Sequence, residues 1–275
     1  MKPETFADIA ELVRRRAGIV LTSDKTYMLE TRLGPVLQRA KLETLDALAA
    51  QLRRPFQDEL ERWVVEALTT HESSFFRDGK PFEFLGRALP KLAASRPPGQ
   101  RLRIWSAACS TGQEAYSIAI MAMEMAALLG GRQVEILGTD ISHDIVARAQ
   151  DGLFSQFEVQ RGLPVRQLVR FFKQEGQRWR AGPEIKALCR FQHGNLLGDF
   201  AGLGRFDLIF CRNVLIYFDA PTKTRVLSRL ASQLVPDGAL VLGGAETVLG
   251  LSDCFAPIPG ERGAYAPTGA KWTAA

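Results

Sequence analysis

The sequence predicts an α/β protein in two parts. An all-helical N-terminal domain comes first, then a doubly wound, largely parallel α/β domain that carries a small inserted antiparallel β-subdomain. Three observations lead there. The first ninety or so residues place apolar side chains only at helical spacing. From Arg101 onward, short apolar runs alternate with helical stretches, the rhythm of strand–helix–strand units. Between about residues 151 and 195 that rhythm breaks into short alternating runs around Gly-containing turns.

The elements follow in order. "TFADIAELVRRR" puts Phe6, Ile9, Ala10 and Val13 on one helical face. "DKTYMLETRLGPVLQRAKL" repeats this with Met28, Leu29, Leu33, Val36 and Leu37, and Pro35 is expected to kink or interrupt the helix. "ETLDALAAQL" and "FQDELERWVVEALTT" complete the helical part, the latter through Leu60, Trp63, Val64 and Leu68. "AASRPPGQR" reads as a boundary, so the domains are expected at 1–78 and 99–275, with a linker at 79–98. "RLRIWSAA", "QVEILGTDI", "FDLIFC" and "GALVLGGAE" are the strands, separated by "GQEAYSIAIMAMEMAALL", "SHDIVARAQ" and "APTKTRVLSRLASQL" as helices. The insert, at about 155–194, reads as a helix plus a small hairpin. "CFAPIPGERGAYAP" reads as two strands around a turn, an antiparallel edge for the sheet.

Composition narrows the class. With 275 residues, 46% hydrophobic and 24% charged, the chain has material for one large core or two smaller ones. Cys109, Cys189, Cys211 and Cys254 are scattered without CxxC, and His71, His143 and His193 do not cluster with them. No metal site is expected, and a reducing compartment suits these thiols. No stretch approaches the ~18–20 apolar residues of a membrane span, so a soluble, cytoplasmic protein without membrane insertion is expected. A net charge of +5 is compatible with an acidic partner or with a plain solvated surface.

In open α/β sheets, ligands sit beyond the C-terminal ends of the strands, and the chemistry-bearing residues follow strands here. After "RIWSAA" comes the small-residue loop Cys109 to Glu114, which lacks both GxGxxG and the GK[ST] of a phosphate-binding loop. Asp140 closes the second strand, placed either to accept hydrogen bonds from the ribose of an adenosine-containing ligand or to cap the next helix. Ser142 is an equal candidate for the cap. Asn195 stands beside Leu196 and Leu197, suited to an adenine edge. Arg212 and Asn213 interrupt an otherwise apolar run at a strand end. Thr69 to Asp78, "TTHESSFFRD", mixes hydroxyls, two aromatics and an arginine where a simple linker would need none.

Taken in order, "TTHESSFFRD", "RIWSAACSTGQEAYSIAI", "ILGTDIS", "NLL" and "FDLIFCRNVLIYF" resemble the chemotaxis-receptor methyltransferase (CheR) family over nearly the whole chain. The resemblance implies a class I (Rossmann-like), S-adenosylmethionine-dependent protein-glutamate O-methyltransferase. Its cofactor would be S-adenosyl-L-methionine, its products glutamate methyl esters and S-adenosyl-L-homocysteine, and its substrate the cytoplasmic helical region of chemoreceptors during adaptation. It implies roles residue by residue. Ser73 keeps the hydroxyl of the family's Asn-x-Thr-x-Phe-Phe-Arg motif, and His71 stands where Asn is usual. Arg77 would face the methionine carboxylate, Glu114 the amino group, Asp140 the ribose, Asn195 and Leu196 the adenine, and Arg212 with Asn213 the region of the methyl. Arg77 and Arg212 would act by positioning, with no general base. Phe75 and Phe76 would anchor one domain on the other, and Tyr116 and Tyr217 would pack or line the site. The helical domain would recognise the receptor through Lys25, Arg32, Arg39 and Lys41. The short turn "KQEGQRW" implies independence from a C-terminal receptor tether. Nothing resembles the Asn/Asp-Pro-Pro-aromatic or Pro-Cys motifs of nucleic-acid methylases. A class I methyltransferase acting on another protein or on nucleic acid, and a non-catalytic S-adenosylmethionine-binding sensor, are the alternatives.

Overall fold

The computed structural model describes residues 1–272; the last three residues of the expected 99–275 domain lie outside the described residues. The chain divides into two compact units, Met1–Thr70 with Tyr217–Thr222, and His71–Ile216 with the chain from Lys223 onward.

The first unit is built from four helices: α1 (Pro3–Ala17), α2 (Thr26–Ala40), α3 (Leu45–Leu52) and α4 (Asp58–Leu68). Their termini are chemically matched to the helix dipole. Pro3 opens α1 with Glu4 in its first turn, Arg14, Arg15 and Arg16 close it, and Gly18 ends it at φ 75°. Thr44 caps α3 by accepting from the Ala47 N–H at 3.1 Å. α4 opens with Asp58, Glu59 and Glu61, and Arg16 pairs with Asp58 at 2.6 Å and with Glu61. The buried faces are Ile9, Leu12 and Val13 of α1, Leu29, Leu33 and Val36 of α2, and Leu60, Val64 and Leu68 of α4. α2 runs unbroken through Pro35, contrary to the expected interruption. Pro35 is exposed, and Gly34 before it has no Cβ to meet the proline ring. Residues 217–222 join this unit, with the Val20 N–H donating to the Tyr217 carbonyl at 2.8 Å.

The second unit opens with α5 (Lys80–Ser95), which replaces the expected linker at 79–98. The boundary stretch "AASRPPGQR" covers only its end, and Pro81 sits in the first turn, where its missing N–H is not needed. Phe82, Phe84, Leu85, Leu89 and Leu92 bury one face. The main sheet contains β1 (Leu102–Ala107), β2 (Val134–Asp140), β6 (Cys189–His193), β7 (Phe206–Cys211), β8 (Leu234–Leu242), β9 (Phe255–Pro257) and β10 (Ala264–Pro267). Their order is β6-β2-β1-β7-β8-β10-β9. The first five run parallel, and β10 and β9 finish the sheet antiparallel, as the sequence led one to expect. β1 pairs with β2 from Leu102 opposite Val134 to Ala107 opposite Thr139, and with β7 from Ile104 opposite Leu208. The strand order reverses at β1, so the ends of β1, β2 and β7 form the place where such sheets bind ligands. Helices α6 (Gln113–Glu124), α7 (His143–Asp151) and α11 (Ala220–Gln233) connect the strands.

The insert is larger in strands and shorter in span than expected. It forms a three-stranded antiparallel sheet, β3 (Leu153–Ser155), β5 (Arg178–Ala181) and β4 (Phe172–Glu175), in that spatial order, with α8 (Gln156–Gln160), α9 (Val165–Phe171) and α10 (Pro183–Lys186). Residues 189–193, assigned to the insert from sequence, instead form β6, parallel to β2 in the main sheet. As an edge strand it exposes Arg190, Gln192 and His193 and buries Phe191, an alternation that also fits a hairpin.

Candidate functional site

The turn after β1 is strained. Ala108, Ser110 and Gly112 all have positive φ, at 64°, 52° and 95°, and each non-glycine residue there costs of order 1–3 kcal/mol unless its surroundings hold it. The holding contacts are visible. The Cys109 N–H donates to the Thr139 carbonyl at 2.9 Å, and the Ser110 N–H donates to Asp140 Oδ2 at 2.9 Å. Ser110 Oγ donates to the His71 carbonyl at 2.7 Å. Cys109 itself is inert, because burial pushes its thiol up. Gly138 completes the turn's support: a Cβ there would lie 2.5 Å from the Phe191 ring and 3.0 Å from Cys109 Sγ.

At the end of β2, Ser142 takes the helix cap, accepting from the Ile145 N–H at 3.3 Å. Asp140 is therefore not spent as the cap of α7. Its carboxylate, 5% exposed, receives the Ser110 N–H on one oxygen and the Ser142 N–H on the other at 3.2 Å. Each oxygen has a second lone-pair direction. His71 Nδ1 stands 3.7 Å from Asp140 Oδ1, so the motif residue that departs from the family pattern sits beside this acid.

The buried centre of the cluster is Arg212, which follows β7 with its side chain only 2% exposed. One guanidinium nitrogen donates to Glu114 Oε2 at 2.9 Å. The other donates to the Arg77 carbonyl at 2.9 Å and to Asp78 Oδ2 at 2.7 Å. Its Nε is buried with no acceptor among the described residues. Glu114 lies in the first turn of α6, a favourable end for a carboxylate, and also accepts from Ser106 Oγ at 2.7 Å. Sequence reasoning singled out Glu114 and Arg212 separately and missed their pairing, as well as Asp78 and Ser106, because all four converge only across strands.

The segment 71–78 is tied down along its length. The Phe76 N–H donates to Ser117 Oγ at 3.0 Å, and Phe76 and Asp78 hold positive φ. Phe75 is fully buried, edge-on to Phe154 at 5.0 Å and Phe172 at 5.5 Å, and Phe76 packs on Phe82 at 5.1 Å. These partners belong to the β-insert and α5, within the second unit, which corrects the expectation of an anchor between domains. Arg77 is half-buried and uses one N–H on the Glu72 carbonyl at 3.0 Å. Ser73 is half-buried in the same segment.

Asn195 and Leu196 follow β6. Asn195 Oδ1 accepts from the Leu197 N–H at 2.9 Å and its carbonyl from the Gly198 N–H at 2.7 Å, while the neighbouring Gly194 N–H donates to the Asp140 carbonyl at 2.9 Å. Leu196 is 8% exposed. Asn213 takes φ 58°, and its N–H donates to Glu246 Oε2 at 2.8 Å. Glu246 went unnoticed in the sequence, although its place directly after a parallel strand obeys the rule that selected Asp140. Tyr116 is a packing residue, its hydroxyl donating to the Ala149 carbonyl at 2.9 Å.

The basic residues expected to face a receptor belong to the first unit and differ in availability. Arg32 spends its guanidinium on the end of α4, donating to the Leu68 and Thr69 carbonyls at 3.2 Å and to Thr70 Oγ1 at 3.1 Å. Arg39 is exposed and stacks 3.9 Å above the Trp63 ring. Lys41 is exposed at the end of α2, and Lys25 is half-buried just before it. Among the described residues no group of three His, Cys, Asp or Glu side chains could hold a metal ion, and no helix is long and apolar enough to cross a membrane.

The donors and acceptors fit an adenosyl amino-acid cofactor. Asp140 offers lone pairs at the end of β2 and Glu114 offers a carboxylate at the end of β1. Arg77 retains N–H groups, and the glycine and positive-φ backbone of the first turn allow close approach. Comparison with known proteins agrees. Residues 4–69 match the all-alpha domain of CheR methyltransferase, and residues 71–264 match its SAM-binding domain. A chemotaxis protein methyltransferase from Pseudomonas putida is 38% identical over 255 residues, covering 91% of this chain and 92% of that protein. Another from Pseudomonas aeruginosa is 39% identical over 248 residues, covering 88% and 90%. One from Vibrio anguillarum is 38% identical over 256 residues, covering 92% of each. The chain belongs to the CheR methyltransferase family, with an S-adenosylmethionine-binding domain behind an all-helical one.

Proposed function

We propose that this enzyme methylates glutamate side chains on the cytoplasmic helical region of chemoreceptors, yielding glutamate methyl esters and S-adenosylhomocysteine. The observation that carries the reading is the buried Arg212, paired with both Glu114 and Asp78 just beyond the C-terminal end of β7. A glutamate nucleophile with a reference pKa of about 4.3 is already ionised at neutral pH, so transfer needs alignment and no general base. When bound, S-adenosylmethionine supplies an electrophilic methyl on a sulfonium sulfur. Asp140 accepts the ribose hydroxyls, with His71 beside it. Glu114 accepts the ammonium, Arg77 donates to the carboxylate, Ser73 lies along the same segment, and Asn195 and Leu196 meet the adenine. Arg212 and Asn213 orient the incoming carboxylate.

The receptor-facing surface in this reading is the helical unit, through Lys25, Arg39 and Lys41, which complement an acidic helix. Arg32 contributes by fixing the end of α4. The tight turn at Gly176 between β4 and β5 supports independence from a C-terminal receptor tether, and the setting is the cytoplasm, where receptor signalling regions lie. The test is calorimetric titration of S-adenosylhomocysteine with a radiolabelled methyl-transfer assay on receptor fragments carrying glutamate or alanine at the acceptor positions. Base-labile label on the glutamate fragments alone supports the reading. Tight binding with no transfer to any receptor fragment points to the sensor alternative, and transfer to non-receptor protein or nucleic acid to the other.

A further inference from the structure

We infer that Glu246 is a positioning residue for methyl transfer, acting through the backbone of the Arg212–Asn213 turn. The inference rests on the reaction proposed above.

Glu246 is only 8% exposed and lies four residues beyond the end of β8. Its carboxylate gathers four backbone N–H groups. Oε2 accepts from Asn213 at 2.8 Å and Gly243 at 2.7 Å. Oε1 accepts from Val214 at 2.9 Å and Ile216 at 3.3 Å. Three of the four donors belong to the chain that leaves β7 directly after Arg212, and the fourth to the chain that leaves β8. One side chain thus fixes the ends of two adjacent parallel strands where ligands bind.

That turn needs holding. Asn213 sits at φ 58°, a strained conformation that persists only where the surroundings over-determine it. Gly243 leaves room for this arrangement: a Cβ there would lie 2.7 Å from Glu246 Oε2 and 2.8 Å from Asn213 Nδ2. Charge matters as well as shape, because only a carboxylate presents acceptors on both oxygens. A glutamine would turn an NH2 group toward two N–H donors, whichever way its amide faced. The turn would then relax, and Asn213 and Arg212 would shift relative to the acceptor carboxylate. The cofactor's expected partners Asp140 and Glu114 lie on other elements, β2 and α6.

The experiment compares wild type with Glu246→Gln and Glu246→Asp in the full chain. For Glu246→Gln, kcat per folded molecule falls about 10- to 100-fold, the range for a sub-ångström to ångström misplacement of a positioned group. The S-adenosylhomocysteine Kd and the receptor KM stay within about threefold, because the substitution misaligns the acceptor turn without removing a side chain proposed to touch cofactor or receptor. Amide exchange of the peptide covering residues 212–216 speeds up. Glu246→Asp keeps both acceptor oxygens on a shorter stem and gives an intermediate kcat. Wild-type kcat in Glu246→Gln overturns the inference, as does activity loss that only tracks the unfolded fraction. Failure of both variants to fold overturns it too, since Glu246 would then be a folding residue. If wild type itself does not methylate receptor, the reaction assignment fails instead; an active wild type beside an equally active Glu246→Gln condemns Glu246 alone.

Discussion

Replacing Glu114 with glutamine separates two jobs that one carboxylate is expected to do. Within the protein, Glu114 Oε2 accepts from Arg212 at 2.9 Å and Oε1 accepts from Ser106 Oγ at 2.7 Å. Toward the cofactor, it is proposed to accept the ammonium group. Glutamine keeps the shape and one good acceptor but removes the charge. A hydrogen bond to a charged group contributes about 1.5–3 kcal/mol, so loss of the ammonium contact weakens S-adenosylhomocysteine about 10- to 150-fold. Arg212 retains Asp78 at 2.7 Å and the Arg77 carbonyl, so the structural loss is smaller, about 1–3 kcal/mol for one charge partner of a buried guanidinium. For a domain of this size that corresponds to about 2–4 °C of Tm per kcal/mol. Isothermal titration and thermal melting, run on wild type, Glu114→Gln, Arg212→Lys and the double variant, give both quantities and their coupling. If Kd stays within twofold while Tm falls, Glu114 serves Arg212 only, and its assignment to the cofactor is refuted.

Arg96→Ala should cost about 3–5 kcal/mol, read by urea unfolding, because it strips the guanidinium partner from Asp207, whose side chain is 4% exposed, and so breaks a buried ion pair. The same arginine sets an acid limit. Its hydrogen bond holds the Asp237 carboxyl below the ordinary carboxylate range, so this group's stabilisation is complete above the unfolded pKa of about 3.9 and is lost as pH falls through the folded value; melting curves between pH 5 and pH 2 should show a shallower acid slope in Asp237→Asn. Gly162→Ala should destabilise the contact of segment 71–78 with the insert, since a Cβ at φ 87° would lie 2.0 Å from the Phe75 carbonyl oxygen; limited proteolysis should then cut near residues 157–165 faster than in wild type. Lys25→Glu with Lys41→Glu should raise the receptor KM and leave the S-adenosylhomocysteine Kd unchanged, and a matched rise in both would remove these lysines from the receptor surface.

The parallel strands were legible because buried parallel strands are mostly apolar runs, as Ile104–Trp105 and Leu208 to Cys211 are. What failed did so for local physical reasons. The Ser-, Pro- and Gly-rich "AASRPPGQR" put a linker over 79–98, although it spans only the end of α5, whose Phe82–Leu92 face is buried. β6 was lost to the insert because an edge strand alternates exposed Arg190 and Gln192 with buried Phe191, as a hairpin strand does. Within the site, Asp140 was legible as an acid closing a strand, and its choice between ligand and helix cap turned on Ser142, which the sequence offered as an equal candidate. Arg212 and Glu114 were legible singly, and the web that joins them was not. The Arg212 partners Asp78 and Glu114 are 134 and 98 positions away, and only the folded sheet brings them to one place.

That web bears on how the chemistry can run without a base. In the proposed reaction a sulfonium cation and a carboxylate anion become a neutral thioether and a neutral ester, so charge disappears along the path. A buried site of low effective dielectric favours such a change, provided that it does not hold the anionic nucleophile too well in the ground state. A bare buried guanidinium would do that. Arg212 is already paired with both Glu114 and Asp78. In the proposed reaction it would therefore help to direct the incoming oxygen while adding little net attraction for its charge. Orientation is retained and ground-state overbinding avoided, which is what a displacement governed by alignment requires.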